Sequence, residues 1–155
     1  MFETLTKVNW AEIPQPEWNS PTEVLDALRA LLNVEDDGDA QNVYHRLLYA
    51  FGNDHRGTYY PVALWAIPFL GETLRNDNAL VRETAFNVLL DLVGSFEPEP
   101  EFDRIHTAHG LELPLKVALR DAVYRLRPEI DVCASAVSTD SREHAIAKEL
   151  LSLLG

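Results

Sequence analysis

The sequence predicts an all-α protein of about three antiparallel helix pairs, stacked as a short right-handed solenoid. Three observations predict it. Apolar residues recur at the spacings of a single helix face, helix-opening signals precede those stretches, and no alternating strand pattern competes with them. Residues 1–19 stand apart: they lack a helical period and hold Pro14 and Pro16, so an extended N-terminal arm is expected, with 20–155 as a single helical repeat domain.

The first helix opens at Ser20-Pro21-Thr22-Glu23, where Ser20 is placed to cap, Pro21 suits the first turn and Glu23 completes a capping box. Val24, Leu25, Leu28, Leu31 and Leu32 share its apolar face. After the acidic turn 33–38, Asp39 is the expected cap of a second helix. Ala40, Val43, Tyr44, Leu47, Leu48 and Phe51 recur there at helical spacing, and Gly52 stops it. A polar turn at 53–58 leads into the apolar segment 59–74, which Pro68 is expected to kink or split because proline lacks the N–H.

Asn76-Asp77-Asn78 reopens a helix whose Val81, Ala85, Val88, Leu89 and Leu92 line up, with Gly94 at its end. Residues 95–110 read as the longest irregular loop, a length that more often serves function or motion than plain connection. Pro114 opens the next helix, Pro128 interrupts it, and a short helical piece is expected over 129–137. The last helix starts at Asp140-Ser141-Arg142-Glu143, a second capping box. The expected pairs are 21–32 with 40–51, 60–74 with 78–93, and 113–127 with 140–154.

Composition bounds the function. The 155 residues suit one domain with a core that needs no staples. The single Cys133 excludes an internal disulfide, and no Cys/His zinc spacing exists, so a reducing compartment is expected. The N-terminal stretch lacks the basic and apolar regions of a secretory signal, and no apolar run reaches membrane-spanning length. Together these predict a cytoplasmic protein that does not engage a membrane.

A net charge of −12 disfavours nucleic acid, whose phosphates need Lys and Arg. The acids are also unevenly spread. Residues 1–40 hold nine acids against Lys7 and Arg29, and residues 94–112 hold five against Arg104. The rest of the chain totals only −1. Such clusters suit a basic protein partner, through steering and rim contacts.

Two stretches resemble the second helix of a HEAT repeat: 77–85 (Asp77, Val81 and Arg82 with small residues following) and, more loosely, 140–145. In such a helix Asp caps the start and an early Arg pairs with the Asp of a neighbouring repeat. The segment 53–74 resembles HEAT-like bacterial proteins with a His-x-Gly-x-x-Tyr turn and an Ile-Pro-Phe-Leu junction. Here His55, Gly57, Tyr60, Ala63, Ala66, Ile67, Pro68, Phe69 and Leu70 carry the likeness. Several such proteins look like immunity proteins, so the resemblance implies one that occludes the active site of a basic toxin C-terminal domain.

The expected partner-binding residues are Asp36, Asp37, Asp39, Tyr59, Glu97, Glu99, Glu101 and Asp103. Among Tyr59, Tyr60 and Trp65, Tyr59 is the aromatic expected to face outward as an anchor. His106 and His109, near Glu101 and Asp103, have a metal-like spacing, but Gly110 and the adjacent acids favour two solvated histidines. His55 is expected to fix its turn by a hydrogen bond, and Cys133 to be a buried hydrophobe rather than a nucleophile. No phosphate-cradling loop or nucleophile elbow exists, so no catalytic residue, metal or cofactor is expected. The runner-up reading is a non-catalytic adaptor or scaffold subunit, and a hydrolase using Asp103, His106 and His109 stands behind it.

Overall fold

A computed structural model describes residues 2–135 and 141–155. The chain is mainly helical. Among the described residues the helices are α1 (Glu23–Leu31), α2 (Asp37–Phe51), α3 (Val62–Thr73), α4 (Ala79–Gly94), α5 (Leu115–Tyr124), α6 (Arg127–Ala134) and α7 (Arg142–Leu154). None is long and apolar enough to cross a membrane. In one row α2 packs on α4 and α4 on α7; in the other α1 touches α3 and α3 packs on α5. Across the rows α1 meets α2 and α3 meets α4. The third pair differs from expectation, because the partner of α7 across the rows is α6. Pro128 sits in the first turn of α6, so the break it makes starts a new helix that turns back onto α7.

The helix starts are where local chemistry departs from the simplest reading. At α1 the box does not form: Thr22 is the cap residue, but its hydroxyl donates to the Asp26 carboxylate at 2.9 Å instead of capping a backbone N–H, and the Glu23 carboxylate receives Arg46 Nε at 2.8 Å. At α2 the cap is Asp36, not Asp39. Asp36 accepts the Asp39 N–H at 2.8 Å, while the Asp39 side chain accepts the Glu35 N–H at 3.1 Å. The first bond satisfies an orphan donor of α2, the second fixes the turn that leads into it, and both put negative charge at the positive end of the helix. Asn78 caps α4 and Ser141 caps α7. Asp140, expected to open that last helix, and residues 136–137 of the expected short helix lie outside the described residues.

Pro68 neither splits nor ends α3. Its ring is on the exposed side of the helix, so only the bond it would have given to the Leu64 carbonyl is lost. The expected extended arm instead forms 3-10 turns at Phe2–Lys7 and Trp10–Glu12. Trp10 is buried against Phe69, with ring centroids 5.8 Å apart, and its indole N–H donates to the Leu5 carbonyl. Trp18 and Asn19 donate to the Tyr49 and Ala50 carbonyls, which ties the segment to the end of α2.

Short strands, unexpected from the sequence, join the helix ends. Strand β1 (Gly52–Asn53) pairs antiparallel with β2 (Thr58–Tyr59), and β2 pairs parallel with β3 (Glu97–Pro98). The 95–110 segment is therefore ordered by pairing: β4 (Arg104–His106) and β5 (Glu112–Pro114) form a hairpin. Its turn closes with Gly110 N–H to Thr107 O, and Gly110 takes φ +77°, which a side chain would resist. Two-residue strands are too short for an alternating pattern to reveal them.

Gly52 sets the approach of β1 to β2. A methyl group there would meet the Thr58 carbonyl oxygen at 1.9 Å and Tyr59 Cα at 2.6 Å. Both are backbone atoms, so no side-chain rotation relieves the clash. Gly52→Ala is expected to destabilise the protein at the upper end of about 1–3 kcal/mol, read as a lower urea midpoint. An unchanged midpoint would show that the small sheet separates freely.

Candidate functional site

The structure divides the eight residues expected to bind a partner. Asp36 and Asp39 are engaged in capping α2, and Asp37 is exposed beside them, 3.2 Å from Arg142 Nη2. Glu97 lies on β3 and pairs with Lys116. Glu101 and Asp103 are exposed, and Glu99 is half-buried with its N–H on the Tyr59 carbonyl. Tyr59 is a correction to the sequence reading. It is 1% exposed, because β2 turns its side chain into the core, and Trp65 is the outward aromatic at 54%.

The two acidic clusters do not meet. Asn78, at the start of α4, donates to the Val34 carbonyl just before α2, so both helices begin at one end. The β1–β2–β3 sheet joins their other ends. Asp36–Asp39 and Glu97–Asp103 are therefore separated by roughly the length of α2, whose 15 residues span about 22 Å. They are two separate clusters, not one contiguous patch.

A polar groove of about 590 Å³ between α2 and α4 gathers other residues. Gln41 and Tyr44 stand on α2, Glu83 and Asn87 on α4, and Arg142 of α7 lies at the groove with Asp37. The Arg142 guanidinium sits 3.2 Å from both Asp37 and Glu83 carboxylates. Tyr44 donates to Asp91, and burial followed by that bond raises its hydroxyl pKa well above the ordinary value. Next to it, His45 Nδ1 is 2.8 Å from Asp54 and its Nε2 is 2.8 Å from the Gln41 amide nitrogen. The His45 ring thus bridges the Asp54 carboxylate and the Gln41 amide.

The sequence reading missed this groove. Gln41 with Tyr44, and Glu83 with Asn87, are three and four apart, so each pair lies on one helix face. That spacing was available in the sequence; which two polar faces oppose each other was not. His55 makes no hydrogen bond among the described residues and meets the Tyr49 ring edge-on, with centroids 5.5 Å apart. His106 on β4 and His109 in the hairpin turn are both exposed. Among the described residues, no group of three His, Cys, Asp or Glu side chains is placed to hold a metal.

A further cavity of about 510 Å³ opens where the α3–α4 turn meets α6 and α7. Arg82 crosses it, its Nε at 2.9 and 3.0 Å from the two Glu143 oxygens and its Nη1 on the Asn76 carbonyl at 2.7 Å. Cys133 is buried at its floor. No family model, curated protein or solved structure matches the chain.

Burial, helped by Glu143, pushes the Cys133 thiol up to about 11. The fold prefers the neutral thiol, so its contribution is complete below the ordinary thiol pKa and is lost as pH rises toward 11. The full loss is about 3 kcal/mol for a shift of this size. Urea unfolding followed from pH 8 to pH 10.5 should show a steeper fall for the native chain than for Cys133→Ala. Tyr44 and Tyr59, also raised by burial, supply the remaining decline in both. Equal slopes would place the thiol in contact with water.

Proposed function

We propose that this chain is a HEAT-like helical repeat protein that acts by binding a basic protein partner, as a cytoplasmic immunity protein neutralising a toxin domain. The observation that carries the reading is the α2–α4 groove, where one arginine already rests between two carboxylates. A partner's Arg or Lys entering there meets the same acids, with the Gln41 and Asn87 amides beside it to hydrogen-bond its backbone. The two rows, α2–α4–α7 and α1–α3–α5, support the repeat reading, since in each row successive helices stand side by side.

The distant acids 97–103 have a lesser role in this mechanism. Exposed charges steer encounter and add little affinity once solvated. The groove supplies the grip, and a toxin domain seated on it has its substrate cleft covered. An adaptor subunit would share this surface, so the partner's identity separates the two readings.

The test is co-purification of the tagged full chain from its own cells, with mass spectrometry of a stoichiometric partner. A toxin-like basic domain supports immunity; recovery of housekeeping complexes moves the reading to an adaptor. With the partner in hand, Asp37→Lys combined with Glu83→Lys should weaken affinity by at least about tenfold, or 1.4 kcal/mol. Lys at 97, 101 and 103 should slow association at low salt and leave dissociation unchanged. Unaltered affinity in the groove variant would remove the groove from the mechanism.

A further inference from the structure

The opposite row of helices carries a different surface. An apolar groove of about 350 Å³ lies between α3, α5 and the β4–β5 hairpin. Its walls are Leu64, Trp65, Pro68, Ile105, Leu113 and Ala122, with Asp121 and Arg125 at the rim. We propose that it is a second docking site, for an acidic polypeptide segment that inserts a bulky apolar side chain beside Trp65 and pairs a carboxylate with Arg125.

Three observations converge on that occupant. The first is charge. Residues 115–127 hold Lys116, Arg120, Arg125 and Arg127 against Asp121, a net of +3, so the rest of the chain totals −15. An acidic segment is repelled over most of the molecule and drawn to this stretch. Arg120 and Arg127 donate to the Leu153 and Gly155 carbonyls, and Lys116 pairs with Glu97. Arg125, at the groove itself, has no side-chain partner among the described residues.

The second is the indole. Trp10 and Trp18 donate their N–H groups to the Leu5 and Tyr49 carbonyls, whereas Trp65 is 54% exposed and donates to no described residue. A large, stiff side chain with a spare donor is the kind that anchors interfaces. The third is the backbone. Leu64 and Pro68 both line the groove, and Pro68 has no N–H to give the Leu64 carbonyl. The groove therefore sets the Asp121 carboxylate, the Trp65 indole N–H and the Arg125 guanidinium around an apolar floor. A peptide backbone, with alternating N–H and C=O groups, matches that set. Asp121 repels a second acid near it, so the segment's carboxylate sits at the Arg125 end.

This site is separate from the α2–α4 groove, so either proposal can fail alone. The test follows the three indole N–H signals of ¹⁵N-labelled full chain by NMR, with Trp65→Phe identifying one of them. The probe is an acetylated amphipathic peptide with Leu at every third or fourth position and Glu between; the control has Lys in place of Glu. The Glu peptide should shift the Trp65 signal saturably, leave Trp10 and Trp18 in place, and bind at least about tenfold more weakly to Arg125→Glu. Both residues are exposed, so the variants keep the fold. No Trp65 shift at millimolar peptide, an equal response to the Lys peptide, or unchanged binding by Arg125→Glu would overturn the proposal. So would a Trp65 shift that follows protein concentration without peptide, which assigns the face to a second copy of the chain.

Discussion

Helix α4 is the constraint on which the rest of the structure depends. Val81, Thr84, Ala85, Phe86, Val88, Leu89 and Leu92 are all buried, and those positions cover slightly more than half of its circumference. A helix apolar on so many sides exists in water only with neighbours on those sides. It has them: α2 and α7 in its own row, α3 across from it, and α5 near its end. Arg82 adds direction to this burial. Its bonds to Glu143 and the Asn76 carbonyl tie the start of α4 to the start of α7 and to the preceding turn. Both partners are mostly shielded, so losing one carboxylate or one guanidinium leaves an uncompensated charge.

Much of the acidity belongs to this scaffold rather than to any partner. Asp36 and Asp39 hold the first turn of α2, Glu23 holds Arg46 between α1 and α2, and Glu143 holds Arg82. These carboxylates sit close to helix starts, where the unpaired N–H groups and the dipole favour them. A charge count along the sequence cannot separate an acid that caps a helix from one that waits for a ligand. Asp37 shows the difference within one turn: its neighbours cap, while its own side chain reaches Arg142 across the groove.

Helical spacing made most of the elements legible, since every long apolar stripe became a helix within a few residues of the expected ends. Three features escaped for physical reasons. Tyr59 was expected outside because an apolar run does not disclose that a two-residue strand precedes α3 and turns that ring inward. The third helix pair was expected between 113–127 and 140–154, yet the short helix that Pro128 starts, expected near 129–137, is the one that packs across on α7. That the two acidic clusters stand at opposite ends of α2 was not legible, because sequence distance says nothing of which end of a helix a loop occupies. Arg82, early in α4, pairs between helices with Glu143 of α7, a partner that sequence distance does not disclose.

Separation of charge between the two rows bears on how a partner would be chosen. In the α2–α4 groove an incoming cation must compete with Arg142 for Asp37 and Glu83. A single solvated lysine gains little from that exchange, because the carboxylates already have a guanidinium 3.2 Å away. A folded partner that places a guanidinium in the fork and hydrogen-bonds Gln41 or Asn87 at once gains more than it displaces. Arg142 is exposed and free to swing into water when displaced, so its release costs the fold little. In the proposed binding mode, the ion pair at the mouth of the groove would act as a filter, favouring a shaped basic surface over loose positive charge.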